Sequence, residues 1–586
     1  MKFVSATLGF AAMVVVSTGL LALLGSGLNI HVATAAVVCA AIVALAAWVT
    51  TAPHALPKAH FWDWLMLIVF ALVSLRAFLW LVYTRGDEIC VLSPNNLGDL
   101  SLHLNLIRYL ASGIAFWPES SILSNVPMTY PLGSDLFNSV LEVLGIDTYI
   151  GLVWTGLVGA ALTGYALWLW GGAFGLAAFL FNGGLTGFAI LRTFEIEDFQ
   201  SEMVWKNLFL SMFVTQRGLL MALPSGLILL YAWRERYFRG SAHVLPVWLQ
   251  LLIYASLPLF NLHAFLFLSL VLAAIFTAKL AAVRSWNPLA AGAPRELFVF
   301  VALALVPATL GILLVTGFLS MAGAIRWAPG WVGGGNLSTW IWNFGLTLPL
   351  TLLLVFVLFR SKDNEARCFV WTAVGIFGLC GLVSFAPWEW DNIKVIVWAY
   401  FLILPFLWTE LVGQWPLALR AVVCVALFWS GFITLFGGLA ADRHGFGIAN
   451  RAELDAIGMV VKRLPAEARY AGWPTWGHPI LLQGRKMVLG YPGHLWTQGF
   501  KFDDTNNKLQ ALMTGAPNWK AIARELHTRY LFWGREEKTN YAASKKPWER
   551  EATLVSSGEW GAIYDLETAP KQPGQAPTPA PALPGR

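Results

Sequence analysis

A carboxylate and an imidazole stand one helical turn apart in the segment GDLSLH, at Asp99 and His103. Spacing of i, i+4 puts both side chains on the same face of a helix. A carboxylate there can accept a proton from a hydroxyl group, and the imidazole can orient it, share its proton or contact a phosphate. Asp99 could equally cap the helix, with His103 satisfying it. The pair is therefore a hypothesis for acid–base chemistry, with helix capping as the alternative.

A second group of polar side chains lies where the chain leaves or enters apolar stretches. Arg217 in TQRGLL carries a planar guanidinium that matches phosphate oxygens, although it could also extend to lipid headgroups. The segment PWEWDNIK collects charges where a helix enters the membrane, and charge at that depth indicates function. The candidates for binding substrate or lipid phosphate are Tyr130, Asp135, Gln216, Arg217, His263, Arg326, Glu389, Asp391 and Lys394.

Several candidates also have a structural interpretation. Asp87 and Glu88 follow an apolar stretch directly and can pair locally with Arg85. Asp135 in TYPLGSD fits the start of a helix, and His263 can be satisfied by backbone carbonyls at a turn. Asp87 and Glu88 stay in the set of candidate acids beside Asp99.

Cysteine and histidine spacing indicates no metal centre. The five cysteines are Cys39, Cys90, Cys368, Cys380 and Cys424, and no CxxC or Cys/His pattern connects them. Neither a disulfide framework nor a zinc site is therefore indicated. No metal-ligating set and no cofactor are predicted, and a divalent metal stays open.

The elements that must position these residues are membrane helices. Hydrophobic residues make up 57% of the 586-residue chain and charged residues 12%, with a mean hydropathy of +0.63. Soluble domains carry roughly 25% charged residues, which excludes that class for most of the chain. The net charge of +6 is accounted for by basic residues in cytoplasmic loops, so no nucleic-acid partner is implied.

Runs of about 20 apolar residues can each span a bilayer. The sequence predicts about thirteen, near 6–26, 31–51, 61–83, 148–170, 172–191, 217–235, 246–262, 264–282, 297–320, 337–359, 369–386, 393–412 and 418–438. The N-terminal run is interpreted as a membrane helix and not as a signal peptide. Lys and Arg in alternate loops predict a multi-pass protein of the inner (plasma) membrane with a cytoplasmic N-terminus.

The predicted organisation is a transmembrane domain over 1–444 and an extracytoplasmic α/β domain over 445–567. A large first outer loop, 84–147, shows helical periodicity at 99–112 and 134–144. In the C-terminal domain RYAGW, KMVLGY, TRYLFW and GAIYDL predict strands, with helices at AELDAIGMVVKRL, 504–514 and 518–527. The Pro-rich tail, 568–586, is predicted to be disordered.

These features resemble the GT-C superfamily of membrane glycosyltransferases, such as the protein O-mannosyltransferases and the enzymes that transfer arabinose or aminoarabinose. The resemblance is carried by the many spans, the large first loop with an acid and two helices, and the C-terminal outer domain. Locally, NNLGDLSLH and TYPLGSDLF resemble the first-loop pattern, and TQRGLLMALP, LPLFNLHAF, WNFGLTLPL, WEWDNIK and GRKMVLGYPGHLWTQG resemble later segments.

The resemblance implies an inverting hexosyl- or pentosyltransferase that uses a polyprenyl-phosphate sugar within the membrane lipid. The acceptor would be a glycan, lipid or protein hydroxyl. Asp99 would be the catalytic base, with Asp87 or Glu88 as runner-up. The positions that match the donor phosphate site are Arg217, His263, Arg326 and Lys394. The oligosaccharyltransferase branch uses DxD-like metal-binding acids and a WWDYG-type motif, and this sequence has neither.

Two other functions stay open. A transporter or flippase of lipid-linked saccharides would need polar residues along a path through the bilayer, and these are scarce in the apolar runs. A non-catalytic cell-envelope assembly protein would need only the outer domain.

Overall fold

The computed structural model describes residues 1–25, 27–93, 96–199, 203–319, 325–330, 336–440 and 445–567, without the side chains of Leu337, Glu389 and Trp390. Three long apolar helices open the chain and are followed by a hairpin and two loop helices. The elements are α1 Lys2–Leu24, α2 Ile30–Thr50, α3 Phe61–Leu79, β1 Tyr83–Arg85, β2 Glu88–Val91, α4 Asn96–Ala111 and α5 Gly133–Val143. The two loop helices lie within three residues of the predicted positions, because their apolar periodicity is strong.

The remaining membrane region is helical apart from one two-stranded pairing. It contains α6 Thr148–Leu180, α7 Ile190–Thr193, α8 Leu219–Tyr237, α9 Val247–Phe260, α10 Leu262–Ala282, α11 Ala293–Val315, β3 Arg326–Trp327, α12 Leu337–Phe344, α13 Thr347–Arg360, α14 Asn364–Cys380, β4 Val383–Ser384, α15 Ile393–Phe406 and α16 Leu417–Gly438. Short 3-10 or π turns lie at Thr186–Ala189, Phe209–Phe213, Glu389–Asn392, Leu407–Leu411 and Val412–Gln414.

The chain is a multi-pass membrane protein, but the count of thirteen spans is not confirmed. Among the described residues, eight helices are long and apolar enough to cross a membrane, and the bent pair Ser338–Phe344 and Thr347–Arg360 makes up to nine. The predicted runs at 172–191, 217–235, 246–262 and 369–386 are not among them. α9 has 14 residues and α14 has 17, while α8 ends in the charged sequence RER.

The run at 172–191 does not form a separate span, because α6 continues for 33 residues across a break at Gly172. The φ of Gly172 is 58°, a conformation that glycine adopts without the steric cost of a Cβ. Asp63 of α3 accepts a hydrogen bond from the Ala173 N–H at 2.8 Å, which satisfies a backbone donor exposed by the break. Among the described residues between Leu180 and the start of α8, helical structure occurs only in short turns.

The C-terminal domain is built on a five-stranded mixed sheet in the order β7-β6-β8-β10-β9. Its elements are β5 Phe446–Asn450, α17 Arg451–Val461, β6 Arg469–Ala471, α18 Pro479–Leu482, β7 Lys486–Met487, α19 Pro492–Thr497, α20 Asp503–Thr514, α21 Trp519–Glu525, β8 Tyr530–Trp533, α22 Arg535–Asn540, α23 Trp548–Glu551, β9 Thr553–Gly558 and β10 Gly561–Asp565. β7, β6 and β8 run parallel, and β8, β10 and β9 antiparallel. All four predicted strands are present, β5 and β9 were not predicted, and 568–586 lie outside the described residues.

The first loop and the C-terminal domain lie on the same side of the membrane, because they share a backbone interface. β2 of the loop pairs antiparallel with β5 of the domain. The Asn105 side chain in α4 donates to the Leu481 carbonyl at 2.9 Å, and Arg469 and Lys486 both contact Glu119, at 2.9 and 3.0 Å. α4 is therefore held from outside the membrane by the C-terminal domain.

The C-terminal end of α8, opposite to the end near Arg217, carries basic residues that pair with acids at the starts of α11 and α14. This helix starts two residues after Arg217 and ends near Arg236, roughly 25 Å along its axis at 1.5 Å per residue. Arg236 pairs with Glu296 at the start of α11 at 2.8 Å, and Arg234 pairs with Glu365 of α14. The two ends of α8 thus differ in chemistry, with ion pairs at one end and the candidate site at the other.

Candidate functional site

The two loop helices meet at a buried histidine–carboxylate pair. Nδ1 of His103 in α4 lies 2.7 Å from Oδ1 of Asp135 in α5, and their side chains are 4% and 1% exposed. With an ionised carboxylate as its partner, Nδ1–H is the donor and Nε2 is left free to accept a proton. The ring of Tyr130 meets the imidazole edge-on, with 6.0 Å between centroids. The fold therefore brings His103, Asp135 and Tyr130 together.

Arg217 lies next to this cluster, against the start of α5. Ser134, at the start of α5, donates its hydroxyl to the Arg217 carbonyl at 2.9 Å, which fixes the backbone there. The next residue has to be glycine, since a Cβ at Gly218 would lie 2.1 Å from the Phe260 carbonyl oxygen. Arg217 is 1% exposed, and Asp135 and Asp99 both act on its charge.

The Arg217 guanidinium has no hydrogen-bond partner among the described residues, although Nε, Nη1 and Nη2 are all buried. The Oδ2 atom of Asp135 is in the same situation. Burying a charge without hydrogen bonds costs several kcal/mol. Five N–H donors in a buried position beside Asp99 are therefore the strongest indication of a ligand site in the described part of the chain.

The segment before α15 contributes a second cation. Lys394 pairs with Asp391 at 2.9 Å, with side-chain exposures of 19% and 15%. Asn392 holds the segment in place, because its amide donates to the Val383 carbonyl at 2.6 Å and its oxygen accepts from Phe385 N–H at 2.7 Å. The charges of Lys394 and Asp391 also act on His263 at the start of α10.

Asp99 lies at the centre of these charges. It is in the first turn of α4 and does not cap the helix, which begins at Asn96. Burial raises the pKa of the Asp99 carboxyl above its ordinary value, and His103 in its protonated form, Lys394 and Arg217 act to lower it, in that order. The charge of Asp391 adds to the rise. A partly accessible carboxyl with a raised pKa, beside two cations, has the properties of a general base.

Not every candidate residue comes to this cluster. Asp87 and Glu88 lie exposed in the β1–β2 hairpin, where Glu88 pairs with Arg85 at 2.8 Å and the Asp87 carbonyl accepts from Arg451 N–H. Their role as catalytic acids stays a prediction, and their contacts here are with Arg85 and Arg451. Arg326 is exposed in β3, which pairs with β4.

Two further candidates are less defined by the structure. Gln216 is partly buried directly before Arg217, and its backbone takes part in the turn that leads into α8. The side chain of Glu389 lies outside the described residues. Among the described residues, no group of three His, Cys, Asp or Glu side chains is arranged to hold a metal ion.

The sequence did not single out His494, which reaches the cluster from the C-terminal domain. A Cβ added at Gly98 would lie 3.2 Å from His494 Nε2. Burial lowers the pKa of His494 to about 4, helped by the charge of His103 and opposed by the Gly98 backbone. The segment GRKMVLGYPGHLWTQG contributes to the resemblance, but no spacing rule connects position 494 with position 99.

Comparisons with known proteins give structural similarity only. No protein-family model matches the chain, and no curated protein matches it. Three of the most similar solved structures are of the oligosaccharyltransferase of the archaeon Archaeoglobus fulgidus. One carries a tethered acceptor peptide with an NVT sequon, at 11% identity over 86% of this chain and 74% of that chain, with a TM-score of 0.43.

The second is the apo form, at 12% identity, 84% and 73% coverage and a TM-score of 0.42. The third, AglB with an inhibitory peptide and a dolichol-phosphate, has 13% identity, 86% and 74% coverage and a TM-score of 0.38. At these TM-scores the chemistry has to be argued from the residues of this chain.

Proposed function

We propose that the protein is a glycosyltransferase that moves a sugar from a polyprenyl-phosphate donor to an acceptor hydroxyl on the extracytoplasmic side of the inner membrane. The observation that carries the proposal is the buried guanidinium of Arg217, which has no hydrogen-bond partner among the described residues and lies beside a carboxyl with a raised pKa. Guanidinium presents a planar fork that fits phosphate oxygens. A phosphate group would satisfy the donors that the protein leaves unpaired.

Lys394 also lines a small apolar cavity of about 10 Å³, together with Phe179, Leu208, Met212, Leu219, Trp398 and Phe401. A volume of that size holds at most about one water molecule, so the cavity does not accommodate a polyprenyl chain. The lipid part of the donor is therefore expected along the apolar outer surface of the helices.

In the proposed reaction, the Asp99 carboxylate takes the proton of the acceptor hydroxyl. The hydroxyl oxygen then forms a bond to the anomeric carbon, and the bond from that carbon to the phosphate oxygen breaks, leaving its electron pair on the phosphate. Arg217 and Lys394 stabilise the charge that develops there. Attack opposite to the leaving phosphate inverts the anomeric configuration.

His103 would support the base in this scheme. Asp135 accepts from Nδ1–H, which leaves Nε2 as the nitrogen that can accept a proton. The imidazole can then receive the proton from Asp99 after transfer, which returns the carboxylate to its active form. Charge-assisted pairing with Asp135 stabilises the imidazolium while it carries that proton.

The donor-binding part of the proposal can be tested without knowing the sugar. Purified protein in lipid nanodiscs is titrated with a long-chain polyprenyl phosphate, and binding is measured by native mass spectrometry. We expect the wild type to bind and Arg217→Met to lose at least tenfold in affinity. Arg85→Met is the matched control, because Arg85 is exposed and pairs with Glu88 away from the cluster. Equal binding by all three proteins would remove Arg217 from the phosphate site.

A further inference from the structure

The short helix α19 of the C-terminal domain contacts two segments of the candidate site. Its His494 packs against Gly98, the residue directly before Asp99. The ring of Trp496 meets that of Trp388, from the segment before α15, with 5.6 Å between centroids. One short helix thus contacts both segments that carry the charged residues of the site, Asp99 in α4 and Lys394 in α15.

Aromatic side chains make the accessible surface of α19. Tyr491, its N-cap residue, is 38% exposed and Trp496 is 57% exposed. Tyr491 meets the ring of His494 edge-on at 5.2 Å. Large aromatic rings exposed beside a reaction centre are suited to stack against the apolar face of a sugar ring, which presents C–H groups to the π face. A neutral imidazole between them can accept a hydrogen bond from a sugar hydroxyl.

The same region offers little to an extended peptide, because the adjacent backbone is already paired. Residues 121–124 of the first loop run along β7 and the segment after it. Met487 N–H donates to the Ser121 carbonyl at 2.9 Å, and Gly490 N–H donates to the Ile122 carbonyl at 2.8 Å. Addition of a peptide strand uses free backbone groups at a sheet edge, and this edge is occupied by the protein itself. Recognition beside α19 therefore depends on side chains.

We propose that the acceptor is a saccharide and that Tyr491 and Trp496 form its binding platform, with His494 directing an acceptor hydroxyl toward Asp99. This proposal rests on the proposed glycosyl transfer and adds the class of acceptor to it. His494 acts as a positioning residue, since its neutral ring leaves the proton transfer to Asp99.

The test compares two acceptor fractions with one labelled donor. The donor is the polyprenyl-phosphate sugar extracted from cells that carry Asp99→Asn, radiolabelled by growth on labelled sugar. The acceptors are cell-envelope polysaccharide freed of protein by protease, and envelope protein freed of glycans by chemical deglycosylation. Wild type, Trp496→Ala, Trp496→Phe, Tyr491→Ala and Leu554→Ala are compared; Leu554 is 51% exposed in β9 of the same domain and serves as control.

We expect label in the polysaccharide fraction. In Trp496→Ala the KM for the polysaccharide should rise about tenfold, equivalent to roughly 1.4 kcal/mol, while polyprenyl phosphate binding stays at the wild-type level. Trp496→Phe should recover most of the affinity, because it keeps a stacking ring, and Leu554→Ala should behave as wild type.

Label in the protein fraction would overturn the saccharide assignment. An unchanged KM in Trp496→Ala and in Tyr491→Ala would overturn the platform, and would leave the exposed rings as lipid-interface aromatics. Consumption of the labelled donor tests glycosyl transfer separately. A donor that the wild type leaves unconsumed would contradict the transfer itself, and a donor consumed without label in the polysaccharide would overturn the saccharide assignment.

Discussion

Nδ1 of His103 and Oδ1 of Asp135 lie 2.7 Å apart in the interior of the first loop, and they join its two helices through a buried charged contact. The pair is 32 residues apart in sequence. It determines which nitrogen of the neutral imidazole carries the proton, and therefore which nitrogen is left as an acceptor. The chemistry of the site depends on this orientation as much as on the acid itself.

Asp135→Asn should impair transfer and leave donor binding intact. The amide can donate to Nδ1, which would place the imidazole proton on Nε2 and remove the acceptor nitrogen. We expect kcat to fall by about 10²- to 10⁴-fold, the usual range for lost acid–base catalysis. Glu88→Gln is the control in the same loop and should keep wild-type activity. A fall in Glu88→Gln as large as in Asp135→Asn would favour a hairpin acid as the base.

Arg217→Met should lower activity without lowering stability. The guanidinium is buried with all three nitrogens unpaired among the described residues, so replacing it by an apolar chain of similar length relieves a desolvation cost. We expect an unfolding temperature in detergent equal to or above that of the wild type, with transfer reduced about 10²- to 10³-fold. A marked drop in unfolding temperature would instead mean that Arg217 has a structural partner.

The activity should fall at low pH, with a midpoint above the ordinary pKa of an aspartate, because Asp99 acts as the base. The ionised form is the base, and burial raises its pKa, so kcat/KM should rise with pH through that raised pKa. The pH dependence of the free energy of unfolding has the opposite sign. A raised pKa in the folded state stabilises the fold fully below the unfolded pKa of about 3.9, and this contribution is lost as pH increases through the folded pKa.

Asp99→Asn should therefore be at least as stable as wild type at neutral pH while losing activity. The neutral amide avoids the cost of a buried charge. Thermal unfolding measured at pH 5 and pH 8 should show a smaller change between the two pH values for the variant than for the wild type. A larger change in the variant would mean that the folded protein favours the charged form of Asp99.

Gly484→Ala should disturb the site from the C-terminal domain. Gly484 has a φ of +67°, and a Cβ there would lie 2.5 Å from the backbone carbon of Arg108 in α4. Gly240→Ala is matched to it, because Gly240 has a φ of +69° and open space around its Cβ position. Both variants carry the dihedral strain, roughly 1–3 kcal/mol, and only Gly484→Ala displaces α4. We expect transfer to fall in Gly484→Ala alone, measured at equal amounts of folded protein.

The sequence predicted the parts of the site that follow from local spacing. Asp99 and His103 fall on one helix face because of their i, i+4 spacing, and that helix is present as α4. The pairing of His103 with Asp135, and the approach of His494, could not be predicted, since no local rule connects residues on different elements. Asp87 and Glu88 were candidate acids because they directly follow the third apolar run, and the β1–β2 hairpin leaves both side chains exposed.

The span count shows the same limit. Apolar composition located every long helix of the membrane region, but it could not show that α6 continues past Gly172 or that α9 has only 14 residues. Apolar composition identifies the segments that can lie in the bilayer, but it does not give the length of each helix. Helix length depends on breaks that are capped by distant side chains, such as Asp63 at Ala173.

The central claim, sugar transfer from a lipid carrier at the outer face, is tested most directly in cells that carry Asp99→Asn in place of the wild-type chain. Polyprenyl-phosphate sugars are extracted and quantified by mass spectrometry, with and without treating intact spheroplasts with cold periodate, which oxidises only sugars on the outer leaflet. We predict that one such lipid accumulates in the variant and is destroyed by periodate. An unchanged lipid profile, or an accumulated lipid protected from periodate as after loss of a flippase, would contradict the proposed function.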